Sequence, residues 1–310
     1  MADVQTFKNL QDKTLRWLDE AGDTDTTLAL VKQFLQTAHK RRLTQERWPF
    51  MLWDSEETLT IRPGVQTYAL HPEFLKPFYF WNATQQDIVA QYDEESIRNT
   101  FSDWHNDHGV ALQMTLWGRT EVQNQPSSAS VIAVTSSSSS ADDGKVSVKV
   151  RGVTTDGVTT ETIACGSSGT LQFTKILKVT KIGTWQGTMT LTANAGTVTV
   201  LKLFAAEYGR SYQQTFWLNI PDATETINYR FYRQPSPLVD DNDLLDIPTP
   251  FEDLIVYDAL LDFATYNQYD AGTVQLWMRK QQELELALQQ TYGDAKSIDA
   301  ATPYSNYVPR

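Results

Sequence analysis

The sequence has few of the residues that build disulfide frameworks and metal centres, with one cysteine, Cys165, and four histidines among 310 residues. One cysteine excludes an intrachain disulfide and a cysteine-rich metal site. Apolar runs are short, and none approaches the roughly 20 residues that a membrane-spanning helix needs. Residues 1–10 also lack the basic and then apolar pattern of a signal peptide. We therefore expect a soluble protein with no membrane partner.

Catalytic motifs are missing as well. The sequence contains no GxSxG elbow, no phosphate-binding glycine loop and no HExxH zinc signature. Residues 241–252 have the length of a calcium loop but lack a ligand at its fifth position and the glycine at its sixth. His105 and His108 could share a metal only with a third ligand that the sequence does not offer. We expect no catalytic residue, no metal and no cofactor, and therefore no enzyme.

Basic residues are outnumbered, and the deficit is uneven. The formal net charge is −12, and residues 222–310 carry 15 acidic side chains against 6 basic ones, whereas 126–221 carry 5 against 8. A surface this acidic does not hold nucleic acid by neutralising phosphates. It could line a passage through which nucleic acid slides without binding.

Helical periodicity marks both ends of the chain. Two amphipathic helices are predicted near 3–20 and 25–46, with Trp17 on the apolar side of the first. A connector with four prolines, 234–250, precedes two further helices at 251–268 and up to 293. The third helix is apolar on most sides and must be covered on most sides. We expect packing between subunits at Leu254, Tyr257, Leu261, Trp277 and Leu284.

Four basic residues lie near the end of the second predicted helix: Lys40, Arg41, Arg42 and Arg47. They could stabilise the helix by lying near its carboxyl end. They could instead form a patch that meets an acidic partner.

Alternating residues predict β-structure between the helical ends. Segments 57–62 and 65–70 flank Pro63-Gly64 and indicate a hairpin, with further strands at 78–82, 87–92 and 111–117. From 126 the composition changes, because 26 of the next 75 residues are Ser or Thr. The serine run at 136–140 is typical of a flexible linker, and short alternating segments after it indicate an immunoglobulin-like β-sandwich.

We therefore predict an α+β fold, in which a helical body with a small β-sheet part carries an inserted immunoglobulin-like β-sandwich. Strands at 215–220 and 226–232 should return to the first sheet. The predicted domains are a body in two parts, 1–125 and 207–295, an insertion between them at 126–206, and an extended arm at 296–310.

The order of these features resembles the head-to-tail adaptor proteins of tailed bacteriophages. The resemblance rests on the two first helices, Arg-Trp-Pro at 47–49, the stretch PGVQTYALHPEF at 63–74, the connector from Pro-Leu at 237 to Ile-Pro at 247, and the two closing helices. It covers 1–125 and 207–295. It implies a virion protein of the neck, made in the host cytoplasm and forming a twelve-fold ring. That ring would dock on the portal ring, carry downstream tail or neck proteins and let DNA pass through its lumen.

The carboxyl-terminal segment 296–310 is polar, broken by prolines and without periodicity. It carries side chains of types favoured at interfaces: Tyr304, Tyr307, Val308 and Arg310. We expect an arm that orders on the portal, although a frayed end would have the same composition.

A different class of protein could share this composition. In a glycan-binding or adhesin-like protein the β-sandwich would be the ligand-binding domain, with aromatic platforms on its surface. Trp185 is the one aromatic candidate of that kind within the insertion.

Overall fold

A computed structural model describes residues 6–18, 25–93, 95–96, 108–138, 146–183, 185–204, 209–266 and 269–293. The predicted α+β class is confirmed, with 30% helix, 37% strand and several sheets. The chain divides into two compact units. We call residues 1–54 with 231–310 the helical unit, and residues 55–230 the strand-rich unit. Among the helices of the described ranges, none is both long and apolar enough to cross a bilayer.

Among its described residues the helical unit has four α-helices, as predicted: α1 (Phe7–Trp17), α2 (Asp25–Gln45), α3 (Asp253–Tyr266) and α4 (Ala271–Tyr292). Side-chain caps begin two of them, because Thr6 accepts from the Asn9 N–H at 3.4 Å and Asp270 from the Thr273 N–H at 3.0 Å. Gly293 follows the last turn of α4, and its N–H donates to the Gln289 carbonyl. Local sequence therefore defines these helix ends.

Helix α3 lies at the centre of this unit. It contacts α1, α2 and α4, and seven of its fourteen residues are buried. The covering that its apolar composition requires is supplied largely by the chain's own helices. A helix with this pattern is thus the core element of its own unit.

The connector has no helix or strand before a 3-10 turn at Thr249–Phe251, and it turns at 240–243, where the Asp243 N–H donates to the Asp240 carbonyl at 2.9 Å. The extended form that its prolines predict is therefore interrupted by a turn. Its Leu238 and Ile247 side chains are buried in the helical core. The Phe7 N–H donates to the Asp243 carbonyl at 2.8 Å, and Gln36 Nε2 donates to the Leu238 carbonyl at 2.6 Å. The connector is therefore an integral part of the helical unit's packing.

Sixteen strands are described, fifteen in the strand-rich unit and the last one running out of it. They are β1 (Glu57–Ile61), β2 (Thr67–Ala69), β3 (Phe74–Asn82), β4 (Asp87–Ile88), β5 (Ala90–Tyr92), β6 (His108–Gly109), β7 (Gln113–Thr120), β8 (Ala133–Ser136), β9 (Ser147–Thr154), β10 (Gly157–Ala164), β11 (Lys175–Ile182), β12 (Met189–Ala193), β13 (Val198–Leu203), β14 (Tyr212–Trp217), β15 (Ile220–Pro221) and β16 (Glu225–Arg233). The sheet orders are β1-β16-β3-β4, β2-β14-β7-β5, β10-β9-β11, β13-β12-β8 and β15-β6. Both returning strands, β14 and β16, pair with strands from before residue 126, as predicted.

The predicted hairpin at Pro63-Gly64 is wrong, although the turn itself forms. The Val65 N–H donates to the Arg62 carbonyl at 3.2 Å, and Gly64 has a φ of 75°, which glycine adopts without strain. The two flanking strands join different sheets, because β1 pairs with β16 and β2 with β14. The predicted strand at 87–92 divides similarly, since β4 pairs with β3 and β5 with β7.

The Ser/Thr-rich segment folds as two three-stranded sheets, β10-β9-β11 and β13-β12-β8, whose inward residues share one hydrophobic cluster. That cluster extends to Val122 and Tyr212. The prediction of a flexible linker is wrong at the start of the serine run. Ser136 pairs with Met189, and the Ser137 N–H donates to the Thr188 carbonyl at 3.0 Å. A strand neighbour that local composition does not reveal orders these serines.

Candidate interaction site on the helical unit

The five residues predicted to pack between subunits occupy two environments. Leu254 and Trp277 are fully buried in the unit's own core. Tyr257, Leu261 and Leu284 are half-buried and pack against that core from its edge. Only these last three keep surface that a second molecule could contact.

Tyr257 forms an aromatic patch with Trp17 of α1. Their ring centroids are 6.0 Å apart with the planes at 57°, and Trp17 is 45% exposed. The expectation that Trp17 lies on the buried side of its helix is therefore wrong, because it falls at the last residue of α1, where its ring covers Tyr257 instead of the core. Aromatic side chains that stay partly exposed are typical anchors of protein interfaces.

Charged side chains surround this aromatic patch. Lys13 Nζ lies 2.6 Å from Asp253 Oδ1, and Lys280 Nζ lies 3.0 Å from Glu283 Oε2. Burial raises the pKa of the Tyr257 hydroxyl, and the carboxylate of Asp253 raises it further. The hydroxyl therefore remains a neutral hydrogen-bond donor at physiological pH. An aromatic centre with a charged rim has the composition of a protein-binding surface.

A buried ion network joins α3, which carries Tyr257 of the patch, to α2 and α4. Arg42 donates from Nε and Nη2 to the two carboxylate oxygens of Asp258, both at 2.8 Å, and its Nη1 lies 2.8 Å from Glu285 Oε1. Gln281 Nε2 donates to the same Asp258 at 3.2 Å. One guanidinium thereby joins α2, α3 and α4.

The electrostatics of this network favour its ionised form. Burial lowers the pKa of Arg42, but its hydrogen bond to Asp258, the charge of Asp258 and the contact with Glu285 outweigh burial and leave that pKa raised. A buried bidentate pair is rarely a large net source of stability, because desolvation offsets most of the attraction. Its contacts join one face of α2 to α3 and α4.

Two of the four basic residues predicted near the end of α2 form ion pairs with α3 and α4. Arg42 and Arg41 meet acidic residues within the chain, Arg41 Nη1 lying 3.0 Å from Asp262 Oδ1. Lys40 and Arg47 remain exposed. The acidic partners of Arg41 and Arg42 therefore include residues of α3 in the same unit. Arg41 and Asp262 are 221 residues apart, so the local sequence could not reveal this pairing.

A second buried polar group lies where the connector crosses α2. The Asp246 N–H donates to His39 Nε2 at 3.4 Å, and Arg233 Nη2 lies 2.7 Å from Asp246 Oδ1. Burial lowers the pKa of His39 to about 4, Asp246 raises it in part, and Arg233 lowers it. His39 is therefore a neutral acceptor at pH 7.

Residues 240–243 of the connector contact side chains of their own unit. Asp241 Oδ1 accepts from Lys32 Nζ at 3.1 Å and from Gln11 Nε2 at 3.2 Å, and these bonds lower the pKa of Asp241. Within the part of the chain that the structure describes, no three His, Cys, Asp or Glu side chains form a metal-binding group. His105 lies outside the described residues.

Trp185, the aromatic candidate for a glycan platform, is only 2% exposed and belongs to the core of the strand-rich unit. It cannot present a ring to a sugar. The portal-binding candidates Tyr304, Tyr307, Val308 and Arg310 lie outside the described residues.

Residues 5–138 match the sequence model of the SU10 adaptor protein family, a range that includes α1, α2 and the strands up to β8. This match confirms the resemblance to phage head-to-tail adaptors over that range, which is less than half of the 310 residues. No curated protein sequence matches the chain.

Proposed function

We propose that this protein is a structural virion protein that forms the adaptor ring between head and tail of a tailed bacteriophage. The observation that carries the proposal is the family match over residues 5–138, because it includes the helices that hold both Trp17 and Arg42. The ring docks on the portal, extends the DNA channel and provides the platform for downstream tail proteins. It has no enzymatic activity of its own.

The aromatic patch supplies a docking surface for this role. Trp17 and Tyr257 offer exposed ring area, and the Arg42 network joins α3, which carries Tyr257, to α2 and α4. Leu261 and Leu284 extend the half-buried apolar surface along α3 and α4. A rigid aromatic anchor loses little conformational entropy on binding, which favours affinity. We assign this surface to contacts between neighbouring subunits of the ring.

The remaining assignments follow from sequence. The arm 296–310 contacts the portal through Tyr304, Tyr307, Val308 and Arg310. The segment 126–206 is an immunoglobulin-like domain on the outside of the ring. A dodecamer of chains with net charge −12 repels phosphates, so DNA passes through the lumen without specific binding.

The proposal is tested by capture on purified portal rings, comparing the wild-type chain with Tyr257→Asp. We expect at least a tenfold loss of ring assembly on the portal, about 1.4 kcal/mol, because a charge would replace an aromatic contact in the interface. Tyr266→Asp is the matched control, because Tyr266 is 67% exposed and lies at the far end of α3, about 13 Å along the helix axis from Tyr257.

Two results would contradict the proposal. Wild-type protein that never associates with portal rings would remove the adaptor function. Equal assembly by Tyr257→Asp and Tyr266→Asp would leave that function but remove the patch from it.

A further inference from the structure

The outer face of the β10-β9-β11 sheet is basic, although the protein is acidic. Strand register places Arg151 between Thr160 and Lys178, and Lys149 between Thr162 and Thr180, all on one face. The only acidic residue of the three strands, Glu161, lies opposite the buried Val150 and therefore belongs to the other face. We call the outer surface of these strands the basic face.

The cations of this face are poorly compensated. Lys178 Nζ lies 3.5 Å from Glu121 Oε1. Among the described residues, neither Lys149 nor Arg151 has an ion-pair partner. Arg151 and Lys178 are direct cross-strand neighbours, and like charges in such positions repel each other. An anionic surface placed over the face would relieve this repulsion.

Apolar side chains extend the same surface. Val158 is 57% exposed and lies on the outer side of β10, opposite Val153. Leu177, at the bulge of β11, is also exposed. A matching surface should therefore combine acidic groups with exposed aliphatic ones.

The helical unit presents such a surface in its loop 239–244. Asp240 and Asn242 are exposed at its tip, and Val239 on one side is 61% exposed. Asp243 Oδ2 accepts from the Val239 and Asp240 N–H groups at 2.6 and 2.7 Å, which fixes the loop before any partner binds. The exposed Leu244 ends the loop, which we call the acidic loop.

Charge distribution favours a second copy of this chain as the occupant. The helical unit carries 21 acidic against 13 basic side chains, a net charge of −8. The chain thus presents two different complementary surfaces, one in each of its units. Complementary surfaces of that kind generate a head-to-tail contact between copies, which closes into a ring when the rotation permits.

We propose that the basic face of one copy docks on the acidic loop of the next. This inference rests on the proposed ring function and names a contact that holds the ring together. Lys149 and Arg151 face Asp240 and its neighbours, and the aliphatic residues of the two surfaces meet beside them.

The test is a charge exchange measured by sedimentation velocity, alone and with portal rings. Lys149→Glu/Arg151→Glu and Asp240→Lys/Asn242→Lys should each weaken self-association at least tenfold. An equimolar mixture of the two variants should restore it, because each then offers the charge that the other has lost. Lys202→Glu/Arg119→Glu changes the same amount of charge at exposed positions outside β9, β10 and β11, and should assemble as the wild type does.

Several outcomes would overturn the inference: variants that assemble normally, a mixture that fails to recover, or a wild-type chain that stays monomeric under every condition. Charge reversal that only weakens retention on heparin would assign the basic face to an external polyanion instead. The proposed function is judged separately, by whether the wild-type chain binds portal rings. Portal binding without any effect of the charge exchange would overturn only this contact.

Discussion

Arg42 and Asp258 form a bidentate pair in the interior of the helical unit, with both N–O distances at 2.8 Å. The two residues are separated by 216 positions in the chain, and each side chain is nearly closed to solvent. Through the same guanidinium, Glu285 of α4 is held as well. The pair therefore links the first and last segments of the chain directly.

Removing one partner of this pair should lower the stability of the fold substantially. We expect Asp258→Ala to lower the free energy of unfolding by about 3–5 kcal/mol, because it leaves the Arg42 guanidinium buried with one fewer counter-charge. Urea denaturation followed by circular dichroism measures the change. Arg41→Met is the matched control: its pair with Asp262 is partly exposed and should contribute no more than about 1 kcal/mol. Similar losses of unfolding free energy for the two variants would show that burial of the ion pair does not determine the size of the loss.

His39 should make the protein less stable in mild acid. Its folded-state pKa of about 4 lies below the ordinary value of 6.5, so the unfolded chain binds the proton more readily between these values. Stability contributed by neutral His39 is complete above pH 6.5 and falls as the pH drops, by about 3 kcal/mol at pH 4.

The measurement for His39 is urea denaturation at a series of pH values. His39→Gln keeps a hydrogen-bond acceptor for the Asp246 N–H but does not titrate, so its stability should fall less between pH 6.5 and 4. Parallel curves for the two proteins would remove His39 as the cause. Other acid-sensitive groups affect both curves equally.

Excision of residues 126–206 should leave a folded protein. Strand β14 pairs with β2 and β7, which lie outside the excised segment, so that sheet keeps its hydrogen bonds. Tyr212, however, is buried in the cluster of the inserted sheets and would be uncovered. We expect Tyr212→Ser in the shortened chain to raise its soluble yield. Loss of all soluble protein in both shortened chains would refute independent folding of the remainder.

Truncation after Gly293 should separate folding from portal binding. Helix α4 ends at Tyr292 with its own Gly293 cap, so we expect the free energy of unfolding to change by less than about 0.5 kcal/mol. Capture by portal rings should fall at least tenfold, because the arm 296–310 is removed and tethered arms act at high local concentration.

A full-length variant checks which side chains of the arm matter. Tyr304→Ser/Tyr307→Ser should lose most of the same affinity, whereas Tyr266→Ser should bind normally. Unchanged portal capture and unchanged DNA retention by the truncated chain would mean that the arm is a frayed end.

Short-range patterns account for much of the fold. The period of apolar residues predicted all four helices, and Asp270 and Gly293 fix both ends of α4 through contacts three or four residues away. The turn at Pro63-Gly64 was predictable for the same reason, because a positive φ at glycine is a local property. The aromatic patch was anticipated only in part, since Tyr257 was predicted to contact a neighbouring subunit, whereas Trp17 was expected on the buried side of α1.

Tertiary structure decided the rest, because those features depend on neighbours far away in the sequence. The two strands beside the Pro63-Gly64 turn entered different sheets, since β14 and β16, more than 140 residues later, supply their hydrogen-bond partners. Ser136 became part of a strand because Met189 lies beside it. The sequence by itself determined where the chain becomes helical and where it turns. Which side chains became core, ion pair or exposed patch was decided by long-range packing, which no local pattern encodes.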